Sequence, residues 1–215
     1  MTIAKENMHQ IQKAQPKPSE VLESYYVQID NFLTLEERSR LLEYVLKQEL
    51  AFVPSSSSKG KGTPRRSIIL HSFPEFSELM VNRIEAILPD VISELGLPPF
   101  SVSKIETQLT AHNDGDYFKI HNDNGSPEVA TREISYVYYF YREPKSFSCG
   151  ELLLYDIHKL KNNFYVKAES FKTIEPRNNS IVFFPSHCLH EVLSVSCPSK
   201  AFADSRFTIN GWIHC

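Results

Sequence analysis

The sequence predicts a mainly β fold, a double-sheet jelly roll with two leading α-helices packed on one sheet. The spacing of apolar residues changes near residue 101 from a period of about 3.6 to a period of about 2. Thirteen prolines separate the chain into short segments, and 14 Phe with 10 Tyr can supply an aromatic core in a chain of 215 residues. Several short strands behind two helices are typical of a jelly roll.

Two amphipathic segments come first and predict the two helices. The first spans 34–47, where Thr34 and Glu37 have the spacing of a capping box. The second spans 75–94, and Pro89 inside it is expected to kink or divide the helix.

The rest of the pattern predicts short strands. An early strand is expected at 25–29 and another at 67–71, and Asp114-Gly115 is a hairpin signal in the later part of the chain. The strands expected after residue 101 are 103–111, 117–121, 134–141, 150–155, 171–174, 180–184, 191–195 and 207–213.

The polar residues 1–24 are expected to form a flexible N-terminal arm, and 25–215 a single domain. Within that domain the segment 54–66 reads PSSSSKGKGTPRR and cannot contribute to a core. It is either a solvated surface loop or a lid over a site. Its cations could attract an acidic peptide or a carboxylated metabolite, or could simply be solvated.

Charge and composition exclude several classes of protein. Lys plus Arg is 23 and Asp plus Glu is 26, a net charge of −3, so neither nucleic acid nor a membrane is the expected partner. No apolar run approaches the ~20 residues of a membrane span, and the first residues lack the apolar region of a signal peptide. We expect a cytoplasmic protein whose four cysteines are reduced thiols.

The triplet His121-Asn122-Asp123 is the first candidate for chemistry. Residues i and i+2 of a strand point to the same face, so the imidazole and the carboxylate can bind one metal ion together. A second triplet, His112-Asn113-Asp114, adjoins a turn where its carboxylate can serve the backbone instead. The strand context favours the triplet at 121.

A second histidine is expected at the end of the aromatic segment IVFFP, which is followed by His187 and His190. Two histidines and one carboxylate form the facial triad of non-haem Fe(II) oxygenases, which leaves three coordination positions open. Geometry alone does not choose between His187 and His190 as the third ligand.

Arg206 and Thr208 share one face of the last predicted strand. A guanidinium pairs bidentately with a carboxylate, and a buried arginine is costly without such a partner. An arginine among Phe207, Ile209 and Trp212 therefore indicates an anionic ligand, although a single exposed strand arginine would look the same.

Five ordered segments, GDYFKIHNDN, ISYVYYFY, CGELLLYD, FFPSHCLHEV and SRFTINGWIH, together resemble the Fe(II)- and 2-oxoglutarate-dependent dioxygenases, in their prolyl-4-hydroxylase-like branch. The resemblance covers about residues 25–214 and implies a double-stranded β-helix, which is a jelly roll. The family's HxV pattern matches His190-Glu191-Val192, and this decides against His187.

The resemblance also implies roles for individual residues. His121, Asp123 and His190 match the iron ligands, and Arg206 matches the residue that binds the 5-carboxylate of 2-oxoglutarate. Three further residues match positions near the cosubstrate, namely Tyr138, Thr208 and Tyr117. The implied cofactors are Fe(II), 2-oxoglutarate and O₂, with ascorbate as a reductant.

The expected reaction is hydroxylation of an aliphatic C–H bond, in a prolyl residue of a protein or in a free amino acid. Related halogenases lack the carboxylate ligand, so Asp123 disfavours halogenation. The 16 residues from His190 to Arg206 exceed the usual family spacing, which leaves a natural-product metabolite open as the substrate. A zinc hydrolase and a non-catalytic jelly-roll binding protein are the remaining alternatives.

Overall fold

The computed structural model of the protein describes residues 21–55, 64–159 and 165–215. Over these residues the chain forms two α-helices, α1 (Leu35–Lys47) and α2 (Pro74–Glu94). The strands of the same residues, numbered in chain order, are β1 Val21–Leu22, β2 Val27–Asp30, β3 Val53–Pro54, β4 Arg65–Arg66, β5 Ile68–Leu70, β6 Lys104–His112, β7 Tyr117–His121, β8 Arg132–Phe140, β9 Ser148–Cys149, β10 Leu152–Lys159, β11 Tyr165–Ile174, β12 Ser180–Pro185, β13 His190–Val192, β14 Val195–Ser196 and β15 Arg206–His214.

Two antiparallel sheets form the jelly roll and confirm the predicted fold class. The larger sheet has the order β2-β12-β8-β15-β6-β5-β3, and the smaller has the order β1-β10-β13-β7-β4 with β11 paired to β10. Strands β9 and β14 form a separate pair. The long strand β15 lies between β8 and β6, so its side chains reach the middle of the fold.

Both helices pack on the outer face of the larger sheet, as predicted. Their buried residues join one core with the side chains of β8, β12 and β15 that point outward from the roll. Thr34 and Glu37 form the expected capping box at the start of α1. The residues of this core that come from the helices include Leu41, Val45, Phe76, Met80, Ile84 and Leu88.

Pro89 lies inside α2 and does not divide it, since the helix is continuous from Pro74 to Glu94. Proline removes one backbone hydrogen bond from a helix. Leu88 and Val91, on either side of it, are buried in the core. Packing of this apolar face offsets the missing hydrogen bond and keeps the helix continuous.

A second, smaller core fills the space between the two sheets. It contains Tyr139, Val182 and Phe184 from the larger sheet and Leu152, Leu154 and Ile174 from the smaller one. Along β8, Tyr136 and Tyr138 belong to the helix side, and Tyr139 belongs to the space between the sheets. Successive residues of a strand point to opposite faces, so this alternation decides which side chains can reach a site inside the roll.

The folded domain begins earlier than the predicted boundary at residue 25. Val21–Leu22 pairs with β10, and the backbone N–H of Ser24 donates to Asp156 at 2.8 Å. Residues 1–20 of the predicted arm lie outside the described residues. So do residues 56–63 of the segment 54–66, whose ends form β3 and β4.

Two smaller expectations can also be compared with the structure. The four cysteines form no disulfide in the described residues, in agreement with the expected thiols. Neither α-helix in the described part of the chain is long and apolar enough to cross a bilayer.

Candidate active site

His121, Asp123 and His190 meet at one end of the space between the sheets. His121 ends β7 and His190 begins β13, and the two residues are directly paired across these strands. One potential ligand atom from each side chain lies within 4.8 Å of the others. The Nε2 atoms of His121 and His190 are 3.6 and 3.5 Å from the two carboxylate oxygens of Asp123. This group could hold one metal ion.

Hydrogen bonds orient each of these side chains. The Nδ1 atom of His121 lies 2.8 Å from the carbonyl oxygen of Lys119, and that of His190 lies 3.0 Å from the carbonyl oxygen of Cys188. Each ring can donate its Nδ1–H there, which leaves Nε2 as a metal-binding lone pair. The hydroxyl of Ser135 donates to Asp123 at 2.6 Å.

The electrostatics of the group favour its metal-binding protonation states. Burial, followed by repulsion from His190, holds the pKa of His121 below its ordinary value. Burial alone would raise the pKa of Asp123, but His190, His121 and the Ser135 hydrogen bond outweigh it and hold that pKa below its ordinary value. At neutral pH the chain therefore offers a neutral imidazole and a carboxylate, the forms that bind metal.

The two alternatives considered for the ligands do not join this group. His187 is exposed. His112 lies in the same cavity but next to Arg206, 3.3 Å from the guanidinium. The Asp114 carboxylate of the second triplet accepts a hydrogen bond from the backbone N–H of Cys197, a local structural role.

The far end of the cavity is formed by Arg206, which is 1% exposed. Its Nη1 lies 3.3 Å from His112 Nδ1, while its Nε and Nη2 have no hydrogen-bond partner among the described residues. No carboxylate of the same residues lies within ion-pair distance of it. A buried guanidinium without an anion is costly by several kcal/mol, so this end of the cavity suits a carboxylate ligand.

Gly150 gives the Arg206 side chain room to pass. It has a φ of +76°, and a Cβ at this position would lie 2.9 Å from Cδ of Arg206 and 2.8 Å from Val195. The CGELLLYD segment thus contributes a glycine for both its backbone conformation and this close approach.

Thr208 lines the cavity beside Arg206, as predicted, but Tyr138 does not. Tyr138 points toward the helices, and its hydroxyl donates to Asn179 at 2.9 Å. The residue facing Arg206 is Tyr139, whose ring centre is 4.9 Å from the guanidinium carbon. Its buried hydroxyl has no partner among the described residues. The assignment of Tyr138 to the Arg206 end is wrong, because neighbouring strand residues face opposite sides of the sheet.

Tyr117 does not line the cavity either, and Phe118 takes its place. The Phe118 ring stacks on His121 with a centroid separation of 3.6 Å. The pairing of β7 with β13 contains a register shift, with His121 opposite His190 but Phe118 opposite Val192. One extra residue on β7 therefore reverses the faces, as in a β-bulge, and overturns the assignment of Tyr117.

The sequence did not predict that Arg65 and Ser135 line the cavity, nor that His112 lies next to Arg206 there. In the sequence, Arg65 is one of the cations of the segment 54–66 that could attract an acidic peptide or a carboxylated metabolite, and nothing there places it in the cavity. The SxVxY alternation of β8 places Ser135 and Tyr139 on one face, so identifying Ser135 as an inward residue would have found Tyr139 as well.

Residues 107–214 match the family model described as the 2OG-Fe(II) oxygenase superfamily, and the chain belongs to that family. It is a family of 2-oxoglutarate-dependent dioxygenases, with Fe(II), 2-oxoglutarate and O₂ as its cofactors, as the resemblance implied. The chain is 48% identical over 201 residues to an uncharacterised PKHD-type hydroxylase of Synechocystis. This match covers 93% of the chain and 66% of the relative.

Solved structures share the fold at low sequence identity. A prolyl-4-hydroxylase of Pseudomonas putida is 18% identical with a TM-score of 0.59, over 88% of this chain and 91% of that one. A Trichoplax adhaerens prolyl hydroxylase, solved with a peptide of hypoxia inducible factor, is 17% identical with a TM-score of 0.61, over 88% and 83%. The carbocyclase SnoK of nogalamycin biosynthesis is 11% identical with a TM-score of 0.61, over 89% and 80%.

The residues present fit the family's cofactors. Two imidazoles and one carboxylate around a single point suit Fe(II). The orphaned nitrogens of Arg206 suit a carboxylate of 2-oxoglutarate.

Proposed function

We propose that this protein hydroxylates an aliphatic C–H bond with Fe(II) bound by His121, Asp123 and His190. Arg206 binds the 5-carboxylate of 2-oxoglutarate, assisted by the hydroxyls of Thr208 and Tyr139. The observation that carries the proposal is the buried guanidinium with two unsatisfied nitrogens, in the same cavity as the His–Asp–His group.

Each residue has a defined task in this reaction. The bound iron, with 2-oxoglutarate and O₂, supplies the oxidising chemistry that breaks the C–H bond. The Nδ1 hydrogen bonds of His121 and His190 hold their Nε2 atoms toward the metal. Arg206 fixes the remote carboxylate, so that the reacting end of the cosubstrate is oriented toward those ligands. Phe118 and Leu152 provide apolar walls that limit water near the oxidant.

The proposed substrate is a prolyl residue of a protein or a free amino acid, and a natural-product metabolite is the second candidate. The hydroxylase name of the Synechocystis relative supports hydroxylation. The presence of Asp123 supports it over halogenation, since a carboxylate occupies the position a halide would need. A zinc hydrolase is disfavoured because it has no use for an unpaired Arg206 at the far end of the cavity.

The first test measures succinate release from 2-oxoglutarate, with candidate peptides and amino acids and with ¹⁸O₂. The expected product gains one oxygen atom derived from O₂. Asp123→Ala and His190→Ala should abolish Fe(II)-dependent turnover, because each removes a metal ligand.

Asp114→Ala is the matched control, since it removes the corresponding carboxylate of the other triplet. It should retain most of the activity. Full activity in His121→Ala would overturn the assignment of the metal ligands, and demethylation or chlorination as the main reaction would overturn the hydroxylation.

A further inference from the structure

Arg65 is a second guanidinium in the cavity, and the proposed function does not use it. It lies on β4, which pairs with β7 and places Arg65 opposite Phe118. Its guanidinium carbon is 5.0 Å from the centre of the Phe118 ring, which in turn stacks on His121. Arg65 therefore contacts the same aromatic ring that stacks on His121, a proposed metal ligand.

The hydrogen bonds of Arg65 leave its charge without a counter-ion. Its Nε donates to Ser67 at 3.0 Å, and its Nη2 donates to Gln108 at 3.2 Å and, weakly, to Thr110 at 3.5 Å. All three acceptors are neutral oxygens. No carboxylate in the described part of the chain lies within ion-pair distance of it. Among the described residues these bonds engage Nε and Nη2 but not Nη1, so Nη1 can donate to a ligand.

The neighbouring residue Arg66 shows the contrast. It is largely exposed and forms an ion pair with Asp116 at 2.9 Å. It also donates to the carbonyl oxygen of Asp114. Because adjacent strand residues point to opposite faces, β4 presents one paired arginine outside and one unpaired arginine inside.

The charges of the cavity favour an additional anion. Its described walls carry Arg65 and Arg206 against the single carboxylate of Asp123. Adding one divalent iron and the two carboxylates of 2-oxoglutarate leaves an excess of one positive charge. Arg65 is partly buried in this positively charged cavity, so it attracts a carboxylate more strongly than it would in water.

We propose that Arg65 binds a carboxylate of the primary substrate. This inference rests on the proposed function and specifies its substrate class. The carboxylate can belong to a free acid such as an amino acid, or to an acidic side chain next to the reacting residue of a peptide. Arg65 then determines specificity while Arg206 binds the cosubstrate.

The test uses the enzyme loaded with Mn(II) in place of iron and with N-oxalylglycine in place of 2-oxoglutarate. The probe is ¹³C-carboxyl acetate, whose NMR relaxation increases when it binds near the paramagnetic metal. We expect wild-type enzyme to relax acetate and Arg65→Gln to lower the affinity by roughly tenfold or more, as expected for loss of a charge-assisted hydrogen bond. Arg65→Lys should retain part of it.

Arg66→Gln is the matched control and should leave acetate relaxation unchanged. Equal relaxation in wild type and Arg65→Gln, or an equal loss in Arg66→Gln, would overturn the proposal. It would also be overturned if Arg65→Gln weakened N-oxalylglycine binding as much as Arg206→Gln, because Arg65 would then belong to the cosubstrate site.

Competition experiments distinguish the two sources of the carboxylate. L-proline displacing acetate supports a free acid, and a terminally blocked Glu-Pro peptide displacing it supports an acidic peptide. L-prolinamide or the matching Gln-Pro peptide competing equally well would overturn recognition of the charge. Failure of wild type to bind N-oxalylglycine would instead contradict the proposed function. Acetate relaxation with Mn(II) alone would then be compared in Arg65→Gln and Arg206→Gln, because the Arg206 end also suits a carboxylate. A loss in Arg206→Gln without a loss in Arg65→Gln would overturn the proposal.

Discussion

The two ends of the cavity differ in how their polar groups are satisfied. At the metal end, His121 and His190 hydrogen-bond to backbone carbonyls and Asp123 accepts from Ser135. At the other end, Arg206 and Tyr139 are buried, and polar atoms of both lack a partner among the described residues. The chain therefore orients its proposed metal ligands by itself, whereas the Arg206 end has polar atoms that a bound anion would satisfy.

The largest effect expected from this difference is on 2-oxoglutarate binding. Arg206→Ala should weaken it by a factor of about 10²–10⁴, corresponding to ~3–5 kcal/mol for removing one partner of a buried ion pair. Arg206→Lys should restore only part of the loss, because the planar fork is absent. Calorimetry with N-oxalylglycine measures the change. Unaltered affinity in Arg206→Ala would assign the carboxylate to another cation.

Substitutions at the two ends of the cavity should have opposite effects on the stability of the ligand-free protein. Arg206→Met should raise the free energy of unfolding by about 1–4 kcal/mol, because an apolar side chain replaces an unpaired buried charge. Ser135→Ala should lower it by about 1 kcal/mol, because it removes a satisfied hydrogen bond. Chemical denaturation without ligand measures both. Destabilisation by Arg206→Met would mean that the guanidinium already has a compensating partner.

Tyr138 and Tyr139 provide a matched pair that separates the two faces of β8. Tyr139→Phe should weaken 2-oxoglutarate binding roughly tenfold, the value of one hydrogen bond to a charged group. Tyr138→Phe should leave that affinity unchanged and lower stability by about 1 kcal/mol, because the Asn179 carbonyl loses a donor. The reverse pattern in the KM for 2-oxoglutarate would restore the sequence-based assignment of Tyr138.

Because His112 is buried beside Arg206, we expect the stability of the protein to depend on pH. Burial, and then the charges of Arg206 and Arg65, hold its pKa well below the ordinary value of 6.5. Below pH 6.5 the unfolded chain therefore binds a proton that the folded chain does not, and stability falls as the pH falls. His112→Asn should reduce this slope by up to about 1.4 kcal/mol per pH unit. Denaturation at pH 7 and pH 5 measures it, and an unchanged slope would contradict the buried neutral imidazole.

Part of the site follows from local patterns in the sequence. The HxD spacing keeps His121 and Asp123 only two positions apart and therefore within reach of each other. Asp123 itself lies just beyond the end of β7, so the shared face of a strand does not place it. Arg206 and Thr208 share a face because they lie two positions apart in one strand, and both line the cavity. The capping box identified the start of α1 because its two hydrogen bonds join residues only three positions apart.

Other positions depended on which face of a strand is turned inward. The segment from Ile134 to Phe140 is almost entirely buried on both faces, so its hydrophobicity does not alternate. The sequence pattern therefore does not show which face of the strand is turned toward the cavity. The resemblance implied Tyr138, and the pattern of this segment does not distinguish Tyr138 from Tyr139. The register shift in β7 had the same consequence for Tyr117 and Phe118.

The sequence by itself determined the family, the helices with the strands behind them, and the residue pairs whose geometry is local. Tertiary structure alone decided that Tyr139 faces Arg206 and that Phe118 lines the cavity. It also decided that Arg65 reaches the cavity without an ion-pair partner among the described residues. The physical reason is that a strand's orientation and an arginine's counter-ion are set by pairing between segments distant in the chain. Arg65 and Phe118 are 53 positions apart in sequence and become neighbours only when β4 pairs with β7.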